Sequence, residues 1–131
     1  MTETIYLIDD DTELARSLQF LLRTLKLPAI AFNSGESFIA SVAQLPPGCV
    51  LLDLQMPGRN GIEVQQELAR RGIHWPVVFM TGSIDFEERL AAVGGTPIEV
   101  LRKPFEDREL LDVLARAFAK LAEQGGAGEG H

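Results

Sequence analysis

Short apolar runs alternate with longer amphipathic stretches along the chain. The apolar runs are TIYLI (Thr4–Ile8), AIAF (Ala29–Phe32), CVLLD (Cys49–Asp53), PVVFM (Pro76–Met80) and IEVL (Ile98–Leu101). The first, third and fourth runs are almost continuously apolar, which is typical of strands that are buried on both faces of a sheet. We therefore predict five strands at these positions.

Between the strands, apolar residues recur at helical spacing. One stripe consists of Leu14, Leu18, Leu21, Leu22 and Leu25, and another consists of Leu110, Leu114, Phe118 and Leu121. Shorter stretches near 34–42, 60–71 and 86–93 have the same character. The predicted helix starts are a capping box of Asp10 with Glu13, a cap at Ser34, and a second box of Asn60 with Glu63.

Strands that alternate with helices predict an α/β fold, in which a parallel sheet carries helices on both faces. The stretch 123–131 is rich in glycine and lacks periodicity, so we expect a disordered tail or the start of a linker there. The predicted folded domain is accordingly 1–122.

Composition narrows the class of protein. The chain has 131 residues and a net charge of −7, which argues against direct binding of nucleic acid by this domain. No apolar run has the length of a membrane span, and the N-terminus lacks the basic start of a secretory signal. The single cysteine, Cys49, lies in an apolar run, as expected for a buried thiol in a reducing compartment. We therefore expect a cytoplasmic protein that does not associate with membranes.

Chemically active side chains lie at the ends of the predicted strands. These are Asp9 and Asp10 after the first strand, Asp53 at the end of the third, Thr81 after the fourth and Lys103 after the fifth. In a parallel sheet these ends share one edge, where ligands bind. Crowded carboxylates repel one another unless a cation such as Mg²⁺ neutralises them. The central Asp53 is then a candidate nucleophile that forms an aspartyl phosphate, while Lys103 and Thr81 contact phosphate oxygens.

Four motifs carry a resemblance to a known family: LIDDD, LLDLQMPGRNG, VVFMTG and LRKPF. Together, in this order, they resemble the response-regulator receiver domains of bacterial two-component systems, and in particular the FixJ-like, LuxR-type branch. The resemblance covers about 1–122. It implies a flavodoxin-like, doubly wound (βα)5 fold with strand order 2-1-3-4-5.

The resemblance also implies a role for each matching residue. Asp53 would be the phosphoacceptor, Thr81 the switch hydroxyl and Lys103 the lysine of the family motif. The family pattern also implies a cis peptide bond between Lys103 and Pro104. The implied metal is Mg²⁺, with Mn²⁺ as its substitute. Its implied ligands are Asp9 (mostly through water), Asp10, Asp53 and the backbone carbonyl of Gln55.

Partners follow from the same resemblance. The phosphodonor would be a sensor histidine kinase or a phosphotransfer protein, and the output would be a downstream protein or an attached output domain. A phosphorylation-dependent homodimer is a further expectation. The chain would not be an enzyme beyond its own phosphorylation and dephosphorylation.

Two alternatives remain open at this point. A haloacid-dehalogenase-like phosphatase also uses a strand-end Asp with Mg²⁺, but its general acid stands two residues later, where this chain has Gln55. A module that binds a partner without phosphorylation is the other alternative. Val100 keeps it open, because the family often has an aromatic switch residue there. If the chain does switch, we expect either that the backbone around Gly94 and Gly95 carries more of the movement or that the switch is weaker overall.

Overall fold

The strands form one parallel sheet. The structure is a computed structural model that describes residues 4–56, 58, 60–82 and 99–129, with side chains described as far as 123. Within those residues the strands are β1 (Thr4–Ile8), β2 (Ala29–Phe32), β3 (Gly48–Asp53), β4 (Val77–Thr81) and β5 (Glu99–Arg102). Their order is β2-β1-β3-β4-β5, and every pair is parallel. The predicted α/β fold and strand order are therefore confirmed, with shifts of one residue at some strand ends.

The helices lie on both faces of this sheet. They are α1 (Thr12–Thr24), α2 (Gly35–Ser41) with a following 3₁₀ turn (Val42–Gln44), α3 (Gly61–Arg70) and α4 (Asp107–Glu129). The helix that the sequence predicts at 86–93, and the glycines after it, lie outside the described residues. In the part of the chain that is described, no helix is long and apolar enough to cross a membrane.

Side-chain oxygens cap three helix starts. Ser34 caps α2, and Asn60 with Glu63 forms the predicted capping box of α3. The predicted box of Asp10 with Glu13 is wrong. Helix α1 begins later, and its cap is Asp11, whose side chain accepts a hydrogen bond from the Leu14 N–H at 3.1 Å. The carboxylate of Asp9, which directly follows β1, accepts a hydrogen bond from the N–H of Asp11. Asp9 thereby holds the residue that caps α1 in place.

The core has one apolar layer on each face of the sheet. Alternate strand residues point to opposite faces, so Ile5 and Leu7 pack against α1 and α4, while Tyr6 and Ile8 pack against α2 and α3. Burying a large apolar side chain completely stabilises the fold by about 1.5–3 kcal/mol. The two layers hold the sheet from both sides and leave only its edges and strand ends for chemistry.

Tyr6 shapes the layer beneath α2. It is fully buried, its ring stacks on Trp75 at 5.6 Å between centroids, and its hydroxyl donates to the Pro46 carbonyl at 2.5 Å. Gly48 on β3 makes room for this ring. A Cβ added at Gly48 would lie 2.7 Å from the ring and 2.4 Å from the Thr4 carbonyl oxygen.

The free edge of β2 carries a side-chain hydrogen bond. The carbonyls of Pro28 and Phe32 bond to β1, so the carbonyl of Ala29, between them in the alternation, faces away from β1. Gln19 of α1 donates its side-chain N–H to that carbonyl at 3.2 Å. One outward-facing acceptor of the edge strand is thereby occupied.

The last helix extends further than the sequence predicts. The backbone is helical to Glu129, whereas the glycine-rich stretch from 123 reads as a disordered tail; 130–131 lie outside the described residues. Extending a helix that has already formed adds one hydrogen bond for each residue ordered, and Glu123, Gln124 and Ala127 favour the helix while the glycines oppose it. The domain boundary at 122 stays a prediction.

Gly48→Ala should lower the free energy of unfolding by more than about 2 kcal/mol, because backbone and a buried ring cannot move aside cheaply. Urea denaturation measures the loss. Gly72→Ala is the matched control: its φ is +76° and nothing lies within 4 Å of the added Cβ, so it reports backbone strain alone, about 1 kcal/mol. A smaller loss for Gly48→Ala than for Gly72→Ala would contradict the packing argument.

Candidate phosphoacceptor site

The predicted site residues meet at the carboxyl edge of the sheet. Asp53 ends β3, which lies between β1 and β4. Asp9 directly follows β1, Thr81 ends β4 and Lys103 directly follows β5. Strand order reverses around β1, and the crevice at such a switch point is where open α/β sheets bind ligands.

One lysine contacts two buried carboxylates. The Lys103 Nζ lies 3.2 Å from the Asp9 Oδ2 and 3.6 Å from the Asp53 Oδ2. Asp9 is 1% exposed and Asp53 is 4% exposed. A buried charge needs a partner of opposite sign, and a single ammonium group cannot neutralise two carboxylates. The arrangement therefore retains unbalanced negative charge.

Backbone N–H groups orient both carboxylates. The N–H of Asp11 donates to the Asp9 Oδ1 at 2.9 Å, and the N–H of Gln55 donates to the Asp53 Oδ1 at 3.0 Å. Each carboxylate thus has one oxygen held by the loop that follows it and the other oxygen directed at Lys103. This leaves little rotational freedom for the nucleophile.

The pKa of the Asp53 carboxyl is raised from 3.8 to about 6, mainly by burial and in smaller part by the nearby negative charge of Asp9. The Gln55 N–H and the Lys103 ammonium both oppose this rise. Desolvation dominates because a buried carboxylate loses the water that would stabilise its charge. At pH 7 to 8 Asp53 is still mostly ionised, and it is a stronger base than an exposed aspartate.

Three carboxylates are close enough to share a cation. Oxygens of Asp9, Asp10 and Asp53 all lie within 4.8 Å of one another, and Asp10 is the exposed member of the group. Hard divalent cations prefer such an all-oxygen set. The excess negative charge around Lys103 fits a cation of this kind. The structure thus brings these three residues together, while their role as metal ligands and that of the Gln55 carbonyl stay predictions.

Thr81 is buried at the end of β4, beside the nucleophile's strand. Asp53 pairs with Met80 in the sheet, and the Leu54 N–H donates to the Met80 carbonyl at 3.0 Å. The Thr81 carbonyl accepts the Lys103 N–H at 2.7 Å. These backbone bonds link the segments that carry Asp53, Thr81 and Lys103. The Lys103–Pro104 peptide bond is cis, as predicted.

Val100 lies on the same sheet face as Thr81. It pairs with Phe79 on β4, two residues before Thr81, and packs half-buried in the layer that faces α2 and α3. The position where the family often has an aromatic residue is thus filled by a short aliphatic side chain within the core layer.

Two site features were missed by sequence reasoning. The Gly82 N–H donates to the Gln55 side-chain oxygen at 3.3 Å, although the sequence suggested only a backbone role for Gln55. A Cβ at Gly61 would lie 2.7 Å from the Asp53 carbonyl oxygen, so this glycine allows α3 to start against the nucleophile's backbone. Gly61, two residues after PGR in the sequence, is a residue type that permits two backbone segments to approach closely. No sequence signal indicated the contact of the Gln55 side chain with Gly82.

Trp75 does not lie near this site. Its fluorescence would report metal binding only if the residue lay beside the bound cation. It precedes the amino end of β4 and stacks on Tyr6 in the core, at the opposite end of the strand from Thr81. Metal binding therefore needs another reporter.

A family model for the response regulator receiver domain matches residues 5–115 of the chain. Among characterised relatives, Nodulation protein W of Bradyrhizobium diazoefficiens is 37% identical over 113 residues, covering 86% of this chain and 50% of that protein. Transcriptional regulatory protein FixJ of Azorhizobium caulinodans is 34% identical over 121 residues, covering 92% of this chain and 57% of that protein. The chain thus spans about half the length of these relatives.

A solved structure gives the same result. Full-length FixJ from B. japonicum superposes with a TM-score of 0.85 at 32% sequence identity, covering 97% of this chain and 64% of that one. Fold and sequence agree with one another in this comparison.

Asp53→Asn should stabilise the fold in EDTA at pH 7.5 by about 1–3 kcal/mol, because a pKa rise from 3.8 to about 6 means that the ionised side chain opposes folding. Between pH 4 and 6 the folded state keeps a proton that the unfolded state has lost, so the unmodified chain gains stability as pH falls through this window. The advantage of Asn should therefore shrink toward pH 4.

Urea denaturation from pH 4 to 8 measures this difference. Asp112→Asn, an exposed residue on α4, removes the same charge and should change stability little at any pH. An Asp53→Asn variant that is less stable than the unmodified chain at pH 7.5 would contradict the charge argument.

Proposed function

The chain belongs to the family of response-regulator receiver domains, and from that premise we propose that Asp53 accepts a phosphoryl group from the phosphohistidine of a sensor kinase or phosphotransfer protein. The observation that carries the proposal is the buried Asp53 carboxylate, with one oxygen held by the Gln55 N–H and the other directed at Lys103. A nucleophile fixed in this way has lost most of its freedom before the donor arrives, which lowers the entropic part of the barrier.

The transfer forms one bond and breaks another. An Asp53 carboxylate oxygen attacks phosphorus, the P–N bond of the donor breaks, and the donor imidazole leaves with the electron pair and takes a proton from solvent. The product is an acyl phosphate. Asp53 must be ionised to attack, and a pKa of about 6 leaves it so at neutral pH.

The surrounding residues stabilise charge on the transferred group. Lys103 supplies a positive charge that is already within 4 Å of Asp53, and it shifts its attraction from the carboxylate to a phosphoryl oxygen. Thr81 supplies a hydroxyl from the end of the neighbouring strand. Mg²⁺, or Mn²⁺ in its place, would be held by Asp9 (through water), Asp10, Asp53 and the Gln55 carbonyl, and would neutralise part of the phosphoryl charge.

Phosphorylation then shifts the balance between two conformations. A phosphoryl oxygen that draws the Thr81 hydroxyl inward biases the end of β4 and, through the Lys103 N–H bond to the Thr81 carbonyl, the end of β5. Val100 is stiff at χ1 and cannot swing as an aromatic ring does. We therefore assign the output change to backbone movement after Thr81 rather than to side-chain rotation.

The output lies with a partner or a further domain. FixJ of Azorhizobium caulinodans is a transcriptional regulator that is longer than this chain, and by likeness we propose that the present domain controls an output domain or a downstream protein. Self-association on phosphorylation is one route for this. The net charge of −7 supports a role in which the partner, rather than this domain, contacts nucleic acid. The buried Cys49 thiol is in keeping with a reducing cytoplasm. No enzymatic role beyond phosphoryl uptake and loss is proposed.

Asp53→Asn should abolish phosphoryl uptake from acetyl phosphate or phosphoramidate, because the amide is not a nucleophile. Phosphate-affinity electrophoresis and mass spectrometry measure uptake, with Asp112→Asn as the control for an equal change of charge. Undiminished uptake by Asp53→Asn would remove the assignment. No uptake by the unmodified chain would favour a module that binds its partner unphosphorylated.

Asp10→Ala should weaken Mg²⁺ binding at least about tenfold, equivalent to about 1.4 kcal/mol, because it removes one of three clustered carboxylates. Calorimetry, or Mn²⁺ relaxation, measures the affinity, since Trp75 is remote. Asp11→Ala is the matched control: it removes a neighbouring carboxylate that caps α1 and lies outside the cluster, so it should cost stability and leave the affinity unchanged. Equal affinities for Asp10→Ala and the unmodified chain would move the metal site elsewhere.

A further inference from the structure

The side chain of Gln55 spans the gap between two strand ends. Its backbone N–H donates to the Asp53 Oδ1 at 3.0 Å, and its side-chain Oε1 accepts the Gly82 N–H at 3.3 Å. Gly82 directly follows Thr81. A single residue therefore contacts both the nucleophile and the backbone next to the switch hydroxyl.

The Gly82 N–H is held by a weak acceptor. The contact is long for an N–H···O bond, the acceptor is a neutral amide, and both residues are exposed to solvent. A phosphoryl oxygen carries negative charge, and hydrogen bonds to charged acceptors are shorter and roughly twice as strong. A phosphoryl group that contacts the Thr81 hydroxyl also lies near the N–H of Gly82, which is the next residue in the chain. It would compete successfully for that donor.

The glycine does not owe its place to packing against Gln55. A Cβ at position 82 would lie 3.8 Å from the Gln55 Oε1, an ordinary contact, so the bond depends on the backbone N–H and the amide oxygen rather than on a steric fit. Changing the acceptor on Gln55 therefore tests the contact without altering the backbone of β4.

We propose that the Gln55 side chain is a latch that holds the Gly82 N–H in the unphosphorylated state and releases it to the phosphoryl group on Asp53. The proposal rests on the function proposed above for Asp53. Gln55 is a positioning residue: it fixes the segment after Thr81 against the loop after β3, and phosphorylation replaces that bond by a stronger one. When the bond to the Gln55 side chain is lost, the Gly82 N–H is exposed and can donate to the phosphoryl group.

Beryllofluoride with Mg²⁺, a phosphoryl mimic, is the probe for this latch. Gln55→Ala and the isosteric Gln55→Met remove the amide acceptor, so each should bind the mimic about two- to tenfold more tightly, the range expected for removing one weak competing hydrogen bond. Gln55→Glu supplies a charged acceptor and should bind it more weakly. Gln66→Ala, an exposed glutamine on α3, is the control and should match the unmodified chain.

The Gly82 amide signal in ¹H–¹⁵N spectra distinguishes a latch from a merely structural role. Before the mimic is added, the signal should differ between the unmodified chain and Gln55→Met, because only the former has the side-chain bond. At saturation the two signals should converge, because the phosphoryl mimic occupies the N–H in both. Equal affinities, or a Gly82 difference that persists at saturation, would overturn the latch. If the unmodified chain does not bind the mimic at all, the proposed function fails and the latch fails with it.

Discussion

The competition of two buried carboxylates for one ammonium group governs this end of the molecule. Asp9 and Asp53 are almost fully buried, and Lys103 lies between them at hydrogen-bond and ion-pair distances. Burial of a carboxylate without full neutralisation costs stability, and the raised pKa of Asp53 expresses that cost. The site is thus a local charge imbalance that the rest of the domain tolerates, and any group that brings compensating charge or new donors will be favoured there.

The parallel sheet makes this imbalance tolerable. Two apolar layers cover the two faces of the sheet, and the Asp9 and Asp53 carboxylates meet Lys103 at the carboxyl ends of the strands. Backbone donors at the loops after β1 and β3 hold the carboxylates, and a backbone bond from Lys103 to Thr81 ties β5 to β4. Backbone donors therefore orient the Asp9 and Asp53 carboxylates, and a backbone bond sets the position of Lys103 beside Thr81.

Much of this arrangement could be predicted from the sequence. Continuous apolar runs fix buried strands, and residues placed directly after such runs must lie at one edge, so Asp9, Asp53 and Lys103 were found by position alone. The separate roles of neighbouring residues of one type were harder to predict. Asp9, Asp10 and Asp11 are chemically alike, and the structure separates their roles: Asp11 caps α1, while Asp9 is buried.

Contacts between distant segments lay beyond sequence reasoning. The Gln55 side chain, after β3, accepts a hydrogen bond from Gly82, after the neighbouring β4, and no periodicity in the sequence predicts a polar contact of that kind. The extent of α4 depends on a close balance between helix-forming residues and glycines, which composition alone does not resolve. The stacking of Trp75 on Tyr6 likewise joins residues that are remote in sequence, and no sequence pattern predicts it.

The bond from Gln19 to the Ala29 carbonyl bears on how this domain avoids unwanted association. An open strand edge is a template for a foreign strand, and proteins protect such edges against sheet-to-sheet growth and amyloid-like stacking. Here a side chain of α1 occupies an outward acceptor of β2, so an incoming strand must first displace it. The helix that covers the core therefore also protects part of the open edge of β2, through a glutamine that takes no part in the site.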